Sequence, residues 1–193
     1  GRPCEMAEHV LHQHDLARLV IASFAERGSQ CAQGSGLLWH SHFHQRQALP
    51  RRQWVYDRSL VRKYVTVTVA PGGVGKSSLT TAEALALVTG RPLLGKHVEN
   101  RLRVWIMNLE DPREELELRI QAICEFYDIS ADDIGDRLFV DSGREQSICI
   151  AVTTRNRTVI QRPVIDQLSA ELRRRDIDVL IVDPFVSSHA ASE

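Results

Sequence analysis

The residues with the clearest chemical potential form a glycine-rich stretch at 70–78, APGGVGKSS, which directly follows the alternating run YVTVTV. Its glycines, Gly72, Gly73 and Gly75, allow backbone N–H groups to converge on an anion without interference from a Cβ atom. The lysine and serine that follow match the pattern G-x-x-x-x-G-K-[ST], in which a loop between a strand and a helix holds nucleotide phosphates. The stretch therefore predicts a phosphate-binding loop for a nucleoside triphosphate. A turn that carries GKS by chance is the alternative.

Each residue of this loop has an expected part. Lys76 is expected to contact the β and γ phosphates, and the Ser77 hydroxyl to bind Mg²⁺. The other contacts to the nucleotide fall on the rest of the loop, which comprises Ala70, Pro71, Gly72, Gly73, Val74, Gly75 and Ser78. Ala70 stands where the pattern has its first glycine, so we expect an ordinary negative φ at the start of the loop.

Two carboxylates supply the further chemistry that hydrolysis of a bound triphosphate requires. Asp183 follows the apolar run VLIV, at the carboxyl edge of a predicted buried strand, where ligands gather in open α/β sheets. There it is expected to hold Mg²⁺, with an Asp-Pro turn that closes the strand as the alternative. Glu110 ends the next strand after the loop, and its carboxylate is expected to accept the proton of an attacking water. Asp111 beside it is expected to cap a helix.

The elements that must position these residues alternate along the chain. Apolar runs predict strands at 64–69, 103–109, 137–140 and 178–182. Helical spacing and helix-start signals predict helices at 77–89, from Pro112 onward after the Asp111 cap, and at 163–175, and a hairpin is predicted around 147–160. Strands and helices in this order favour an α/β fold with a parallel sheet flanked by helices.

The composition is that of a soluble globular protein and argues against several classes. The chain has 193 residues, of which 43% are hydrophobic and 25% charged. Its formal net charge of -1 provides no global basic field of the kind that nucleic-acid-binding domains carry. The four cysteines stand far apart, and no apolar run is long enough for a membrane span or an export signal. These features predict a cytoplasmic protein without a zinc ribbon, a disulfide framework or a membrane attachment.

The first 50 residues differ in composition from the rest and predict an unassigned segment ahead of a nucleotide-binding core at 51–193. They hold six of the eight histidines. Apolar residues at helical spacing predict one helix at 15–27, followed by a flexible link. Three histidines would share one face of an extended segment, namely His40, His42 and His44. They are candidates for a metal site, but we favour incidental histidines, because no cysteine or carboxylate ligand lies close by in the sequence.

The motifs APGGVGKSS, NLEDP and VLIVDPF, in this order, resemble the RecA-like ATPases of the hexameric RepA replicative-helicase type, which are AAA family ATPases. The resemblance covers roughly residues 53–193 and includes the segment WVYDR ahead of the first strand. It implies a RecA-like core at 51–193 in which Glu110, the glutamate of the ED pair, activates water. It also implies a homo-oligomeric ring with ATP bound between subunits and single-stranded DNA in the central channel.

The resemblance further implies a strand with a sensor residue after the Asp183 strand, and an arginine that reaches the phosphates of a neighbouring subunit. In RecA-like sheets that strand lies between the phosphate-loop strand and the Asp183 strand. The sequence stops at Glu193. We therefore expect either a partial core or some other segment in that position.

Two further classes of function stay open. The first is a P-loop phosphotransferase, which needs an arginine-rich lid. Three arginines could supply this lid, namely Arg155, Arg157 and Arg162. We favour the simpler interpretation that they belong to a solvated hairpin. The other class is a nucleotide-binding or assembly module without turnover. A contact to nucleic acid has candidates in Arg173, Arg174 and Arg175, although a basic helix end that interacts favourably with the helix dipole also explains them.

Overall fold

A computed structural model of the protein describes residues 16–22, 51–154 and 157–190, and for residues 16–22 it describes the backbone only. In these ranges the strands are β1 (Leu16–Ala22), β2 (Trp54–Tyr56), β3 (Leu60–Val61), β4 (Val65–Ala70), β5 (Val104–Asn108), β6 (Leu138–Ser142), β7 (Ala151–Thr154), β8 (Arg157–Ile160), β9 (Val179–Asp183) and β10 (His189–Ala190). The α-helices are α1 (Lys76–Thr89), α2 (Arg113–Tyr127), α3 (Ala131–Ile134) and α4 (Arg162–Arg174), and a 3₁₀ helix spans Phe185–Ser188.

A five-stranded sheet in the order β4-β1-β9-β5-β6 forms the centre of the described fold. Strand β5 pairs in parallel with both β6 and β9. Strand β1 pairs antiparallel with β4 and with β9, so β4 runs in the same direction as the three parallel strands. The carboxyl ends of β4, β9 and β5 therefore meet at one edge of the sheet, where α/β proteins place their ligands. The predicted α/β fold with a parallel sheet flanked by helices is confirmed.

Strands β5 and β9 are buried along their whole length, as their nearly continuous apolar sequences require. Side chains alternate between the two faces of the sheet. On one face, Val104 and Ile106 belong to a core that includes Val88 of α1. On the other face, Trp105 belongs to a core that includes Leu172 of α4. Helices on both faces thus fix the two strands that carry the predicted acidic residues at their ends.

Strand β1 corrects one expectation from the sequence. The apolar spacing at 15–27 predicts a helix, yet Leu16–Ala22 forms a strand between β4 and β9. A short apolar run fits both periodicities, and the position between two strands offers backbone hydrogen bonds along both edges. The β-branched Val20 and Ile21 also favour a strand. Another segment therefore occupies the position between the phosphate-loop strand and the Asp183 strand, which is one of the two outcomes expected there.

The other predicted elements lie close to their expected bounds. Helix α1 ends at Thr89, as predicted, and Gly90 is its C-cap residue. Strands β7 and β8 form the predicted hairpin, with Ala151 opposite Ile160. None of the helices in the described ranges combines the length and the apolar character that a membrane span needs. The predicted flexible link and the histidines at 40–44 lie outside the described residues.

Candidate functional site

The loop predicted to bind phosphate lies between β4, which ends at Ala70, and α1, which begins at Lys76. Gly73 and Gly75 have φ values of 75° and 89°, in the left-handed region that favours glycine. Gly75 is also the N-cap residue of α1. The glycines turn the chain from strand into helix, and the first N–H groups of a helix are free of intrahelical partners. The predicted strand, glycine loop and helix are thus all present in the expected order.

Ala70, which stands where the pattern has glycine, is the last residue of β4. Its φ is not positive, so its side chain causes no backbone strain. The expectation of an ordinary φ at the start of the loop is confirmed.

The side chain of Lys76 folds back over the loop that precedes it. Its Nζ donates hydrogen bonds to the carbonyl oxygen of Ala70 and, at 2.7 Å, to that of Pro71. Both acceptors are neutral, and a negatively charged phosphate oxygen is a stronger acceptor than a neutral carbonyl. The ammonium group therefore lies against the loop and is bonded to neutral partners there.

Asp183 is the last residue of β9 and is only 4% exposed. In the register of the sheet it lies opposite Asn108, the last residue of β5. Its backbone carbonyl accepts a hydrogen bond from the N–H of Leu109 at 2.8 Å, so the backbone segments of β5 and β9 stay hydrogen-bonded beyond their last paired residues. The predicted position of Asp183 at the carboxyl edge of a buried strand is confirmed.

Asn108 shapes the turn that presents the acidic pair, and sequence reasoning missed it. Its Oδ1 accepts hydrogen bonds from the N–H groups of Glu110 at 3.0 Å and Asp111 at 2.7 Å. Asn108 is 3% exposed, so its side-chain acceptor is shielded from water. An asparagine at the end of a strand and before a turn was the available signal, because its side chain often bonds to the backbone two residues further on.

Glu110 is exposed at the rim of the sheet edge. Its Oε1 accepts a hydrogen bond from Ser187 Oγ at 3.0 Å. Its backbone carbonyl accepts a hydrogen bond from Arg144 Nε. The predicted base therefore has partners from the 3₁₀ helix after β9 and from the loop after β6.

Asp111 does not cap α2, which corrects the expectation from the sequence. The N-cap residue is Pro112, with φ −69° and ψ 158°, and the helix begins one residue later than predicted. Proline is tolerated there because its missing N–H would have no intrahelical partner. The Asp111 carboxylate instead accepts hydrogen bonds from Arg119 Nη1 at 3.1 Å and from Asn108 Nδ2 at 3.2 Å.

Arg119 is a second residue that sequence reasoning missed. Besides Asp111, it contacts Glu115, whose Oε1 lies 3.2 Å from Nη2. Three residues spaced by four along the sequence, Asp111, Glu115 and Arg119, were the signal, since side chains at this spacing meet on one face of a helix. The two carboxylates hold the guanidinium group at the wall of the site.

An ion pair fixes the loop after β6 against α2. Arg113 Nη2 lies 2.6 Å from Glu145 Oε2, and Arg113 Nη1 donates to the carbonyl of Val140 at 3.1 Å. The hydrogen bonds between the two side chains raise the pKa of Arg113 and lower the pKa of Glu145. This pair holds the backbone beside Arg144, the residue that contacts the Glu110 carbonyl.

The phosphate loop and the acidic edge line one pocket of about 340 Å³. The loop side is formed by Gly72, Gly73, Gly75, Lys76, Ser77 and Ser78, and the sheet side by Asn108, Glu110, Asp111, Arg119, Asp183 and Pro184. The volume lies within the range of about 300–1,000 Å³ that is usual for small-molecule sites. The fold thus brings together the loop and both carboxylates that the sequence singled out.

The remaining candidate arginines lie away from this pocket or outside the described residues. Arg174 and Arg175 both contact Glu171 in α4, and their hydrogen bonds lower the pKa of Glu171 to about 2. The guanidinium of Arg175 also stacks over Trp105, 4.6 Å from the ring centre. These intramolecular partners support the interpretation as a basic helix end.

The arginines proposed for a lid gain no support from the described structure. Arg162 is exposed at the first position of α4. Arg155 and the side chain of Arg157 lie outside the described residues, as do the three clustered histidines.

A larger groove of about 570 Å³ lies on the Trp105 face of the sheet. It is lined by residues of β5, α4 and the loop after β6, among them Met107, Leu109, Gln146 and Leu168. No residue of the phosphate loop lines it, so the two pockets are separate.

Comparison with known proteins identifies the family. Residues 36–193 match the family described as AAA domain. No curated protein and no solved structure matches the chain. The family match spans most of the chain, and it agrees with the loop, the acidic edge and the parallel sheet described above. The protein therefore belongs to the AAA domain family, whose members are P-loop ATPase-like proteins.

Proposed function

We propose that this protein binds ATP together with Mg²⁺ and hydrolyses it as one subunit of a RepA-like DNA helicase or DNA-processing ring. The observation that carries the proposal is the single pocket lined by the phosphate loop, Glu110 and Asp183. Membership in the AAA domain family supports nucleotide binding and ATPase activity in general. The ring and the DNA substrate rest on the motif resemblance alone.

Binding of the triphosphate falls to the loop at 70–78. Its backbone N–H groups and the positive end of the α1 dipole attract phosphate oxygens. Lys76 adds a full positive charge for the outer phosphates, at the cost of two hydrogen bonds to neutral carbonyls. The exchange is favourable because a charge-assisted hydrogen bond is stronger than a neutral one.

The donors of the pocket fit Mg²⁺. The Ser77 hydroxyl stands on the loop side and the Asp183 carboxylate on the sheet side, and Mg²⁺ prefers oxygen ligands, usually one or two carboxylates together with substrate phosphates. Among the described residues no cluster of three or more His, Cys, Asp or Glu side chains is arranged for a metal ion, so the substrate is expected to supply several of the ligands. Bound Mg²⁺ would neutralise charge that develops on the phosphates.

Glu110 is assigned the role of the base. Its carboxylate takes a proton from water as the water oxygen forms a bond to the γ phosphorus. The bond from that phosphorus to the bridging oxygen breaks, and its electron pair leaves with ADP. The exposure of Glu110 suits this role, since a nucleophilic water must reach it.

The proposal is tested by Glu110→Gln, which keeps the size of the side chain but cannot accept the proton. We expect the affinity for ATP to stay within about twofold and hydrolysis to fall by about 10²–10⁴. Binding is measured with a fluorescent ATP analogue, and hydrolysis as release of inorganic phosphate in single turnovers, with protein in excess over ATP.

The matched control is Glu114→Gln, which changes an exposed carboxylate in the first turn of α2, outside the pocket. Hydrolysis that is equally fast with Glu110→Gln refutes the role of Glu110. A wild-type protein that binds ATP without releasing phosphate identifies a nucleotide-binding module instead. Transfer of phosphate to a small acceptor identifies a phosphotransferase.

A further inference from the structure

The backbone around Glu110 is held from several sides. Its N–H donates to Asn108 Oδ1 at 3.0 Å, and its carbonyl accepts from Arg144 Nε. The carbonyl of the next residue, Asp111, accepts from Ser142 Oγ at 2.6 Å. Each of these partners lies in a strand of the central sheet or within two residues of the end of one. The peptide groups on both sides of the Glu110 Cα are therefore fixed.

Close packing reinforces these hydrogen bonds. The N–H of Gly143 donates to the carbonyl of Asn108 at 2.7 Å. A Cβ atom added to Gly143 would lie 2.7 Å from the Cα of Leu109, which is closer than real Cβ atoms approach other atoms. The loop after β6 thus lies directly against the chain that leads to Glu110. The freedom that remains to Glu110 is rotation about its side-chain bonds.

Ser187 limits that remaining freedom. Its Oγ donates to Glu110 Oε1 at 3.0 Å, although the two residues are far apart in the sequence. Ser187 belongs to the 3₁₀ helix that directly follows Asp183 and Pro184. The next residue, Ser188, is 3% exposed, and its carbonyl accepts from the N–H of Ile150 at 2.8 Å. The hydroxyl that meets Glu110 is therefore carried by an anchored segment.

We propose that Ser187 is a positioning residue that fixes the orientation of the Glu110 carboxylate during ATP hydrolysis. This inference rests on the proposed function. A glutamate has several rotatable bonds, and only some of its orientations direct an oxygen toward the attacking water. Because Ser187 and Asp183 share one segment, the hydrogen bond also fixes the base relative to the carboxylate assigned to Mg²⁺.

The test compares Ser187→Ala with Ser187→Thr. Alanine removes the hydroxyl, whereas threonine retains it, and the exposure of Ser187 allows both variants to fold. For Ser187→Ala we expect kcat to fall about tenfold, which is part of the roughly 10²–10⁴-fold contribution of a positioned base. KM for ATP should change less than twofold, because Ser187 does not line the nucleotide pocket. Ser187→Thr should restore most of the lost kcat.

The control variant is Ser59→Ala, which removes an exposed hydroxyl that, within the described part of the chain, donates to the nearby Tyr56 carbonyl at 2.9 Å. Its kcat and KM should match the wild type. Folding of all variants is compared by circular dichroism and thermal unfolding. A Ser187→Ala protein with the kcat of the wild type overturns the inference, as does a loss of kcat that threonine does not restore.

A double-mutant cycle shows whether Ser187 acts through Glu110. In the Glu110→Gln background, Ser187→Ala should cause no further loss of single-turnover rate. A second, independent tenfold loss overturns the inference while leaving the role of Glu110 intact. If Glu110→Gln itself leaves the rate unchanged, the role of Glu110 is refuted, and the inference fails with it, whereas a wild type that releases no phosphate refutes the proposed function.

Discussion

Lys76 and Arg119 present two positive charges to one pocket, but their surroundings differ. Arg119 is already paired with the carboxylates of Asp111 and Glu115. Lys76 Nζ bonds to neutral carbonyl oxygens of the loop. A triphosphate would therefore form its charge-assisted hydrogen bonds with Lys76 first. Arg119 would have to break its ion pairs with Asp111 and Glu115 before it could bind a phosphate.

The first prediction at this scale is that Lys76→Ala weakens ATP binding by about one to two decades. A charge-assisted hydrogen bond is worth roughly 1.5–3 kcal/mol, which corresponds to that change in Kd. Titration with a fluorescent ATP analogue measures it. The matched control is Lys96→Ala, since Lys96 pairs with Glu83 at 3.4 Å, outside the pocket. Equal affinities of wild type and Lys76→Ala would remove the phosphate-loop assignment.

The second prediction concerns Asp111→Asn. Because Asp111 binds Arg119 and Asn108 instead of capping α2, loss of its charge should lower the free energy of unfolding by about 1 kcal/mol. Denaturant unfolding without nucleotide measures the change. Glu115→Gln is the control, since Glu115 meets the same arginine but its side chain is 51% exposed, against 33% for Asp111. An Asp111→Asn protein as stable as the wild type would contradict the assigned contacts.

At the scale of elements, the sequence predicts what is local and what is buried on both faces. The runs around Val104–Asn108 and Val179–Asp183 stand out because strands covered on both sides must be apolar throughout. The phosphate loop is predictable because one short stretch contains its glycines, its lysine and its serine. Strand β1 cannot be predicted in the same way, because its apolar spacing suits a helix as well as a strand. Its partners β4 and β9 also come later in the chain.

The supporting residues of the site show the same limit. Ser187 and Glu110 are 77 positions apart, and Ser142 and Asp111 are 31 apart. No periodicity or motif links such pairs, since their contact exists only once β5, β6 and β9 lie side by side. The helix start at Arg113 was missed by one residue, because a proline suits both the first position of a helix and the position before it.

A third prediction belongs to helix α4. Hydrogen bonds from Arg174 and Arg175 lower the pKa of Glu171 from its ordinary value to about 2. A carboxyl group whose pKa is lower in the folded state stabilises that state above its unfolded pKa, and this contribution is lost as the pH falls toward the folded pKa. The wild type should therefore be slightly more stable than Glu171→Gln near neutral pH, and the difference should shrink as the pH falls from about 5 toward 2.

Denaturant unfolding at a series of pH values measures this difference. Arg174→Gln is the matched control, because it removes one of the two donors and should reproduce part of the effect. The effect is small, since the arginine is exposed. If the difference in unfolding free energy between the wild type and Glu171→Gln stays constant or widens as the pH falls, the ionised Glu171 carboxylate is not stabilised by these arginines.

At the scale of the whole molecule, β4 is an edge strand of the central sheet in the part of the chain that the structure describes. Val65, Val67 and Val69 lie on one face of this edge strand and are each more than half exposed. An edge strand with exposed apolar side chains is prone to association with other chains, independently of any nucleotide. Any test for a ring must therefore distinguish ATP-dependent assembly from association of chains through the β4 edge. The variant Val67→Lys makes this distinction possible, because a charge on an edge strand discourages pairing with another chain.

The last prediction is that hydrolysis depends on neighbouring copies of the chain. In a ring with ATP between subunits, a Lys76→Ala subunit would disturb its neighbours as well as its own site. An equal mixture of wild type and Lys76→Ala should therefore release phosphate at well below half of the wild-type rate, whereas independent subunits would give about half. The mixtures are assayed in the Val67→Lys background, with and without single-stranded DNA, and Ser59→Ala replaces Lys76→Ala as the control partner. A rate that falls only in proportion to the added variant would leave the ATPase assignment intact, but it would rule out cooperation between subunits and with it the feature on which the RepA-like ring most depends.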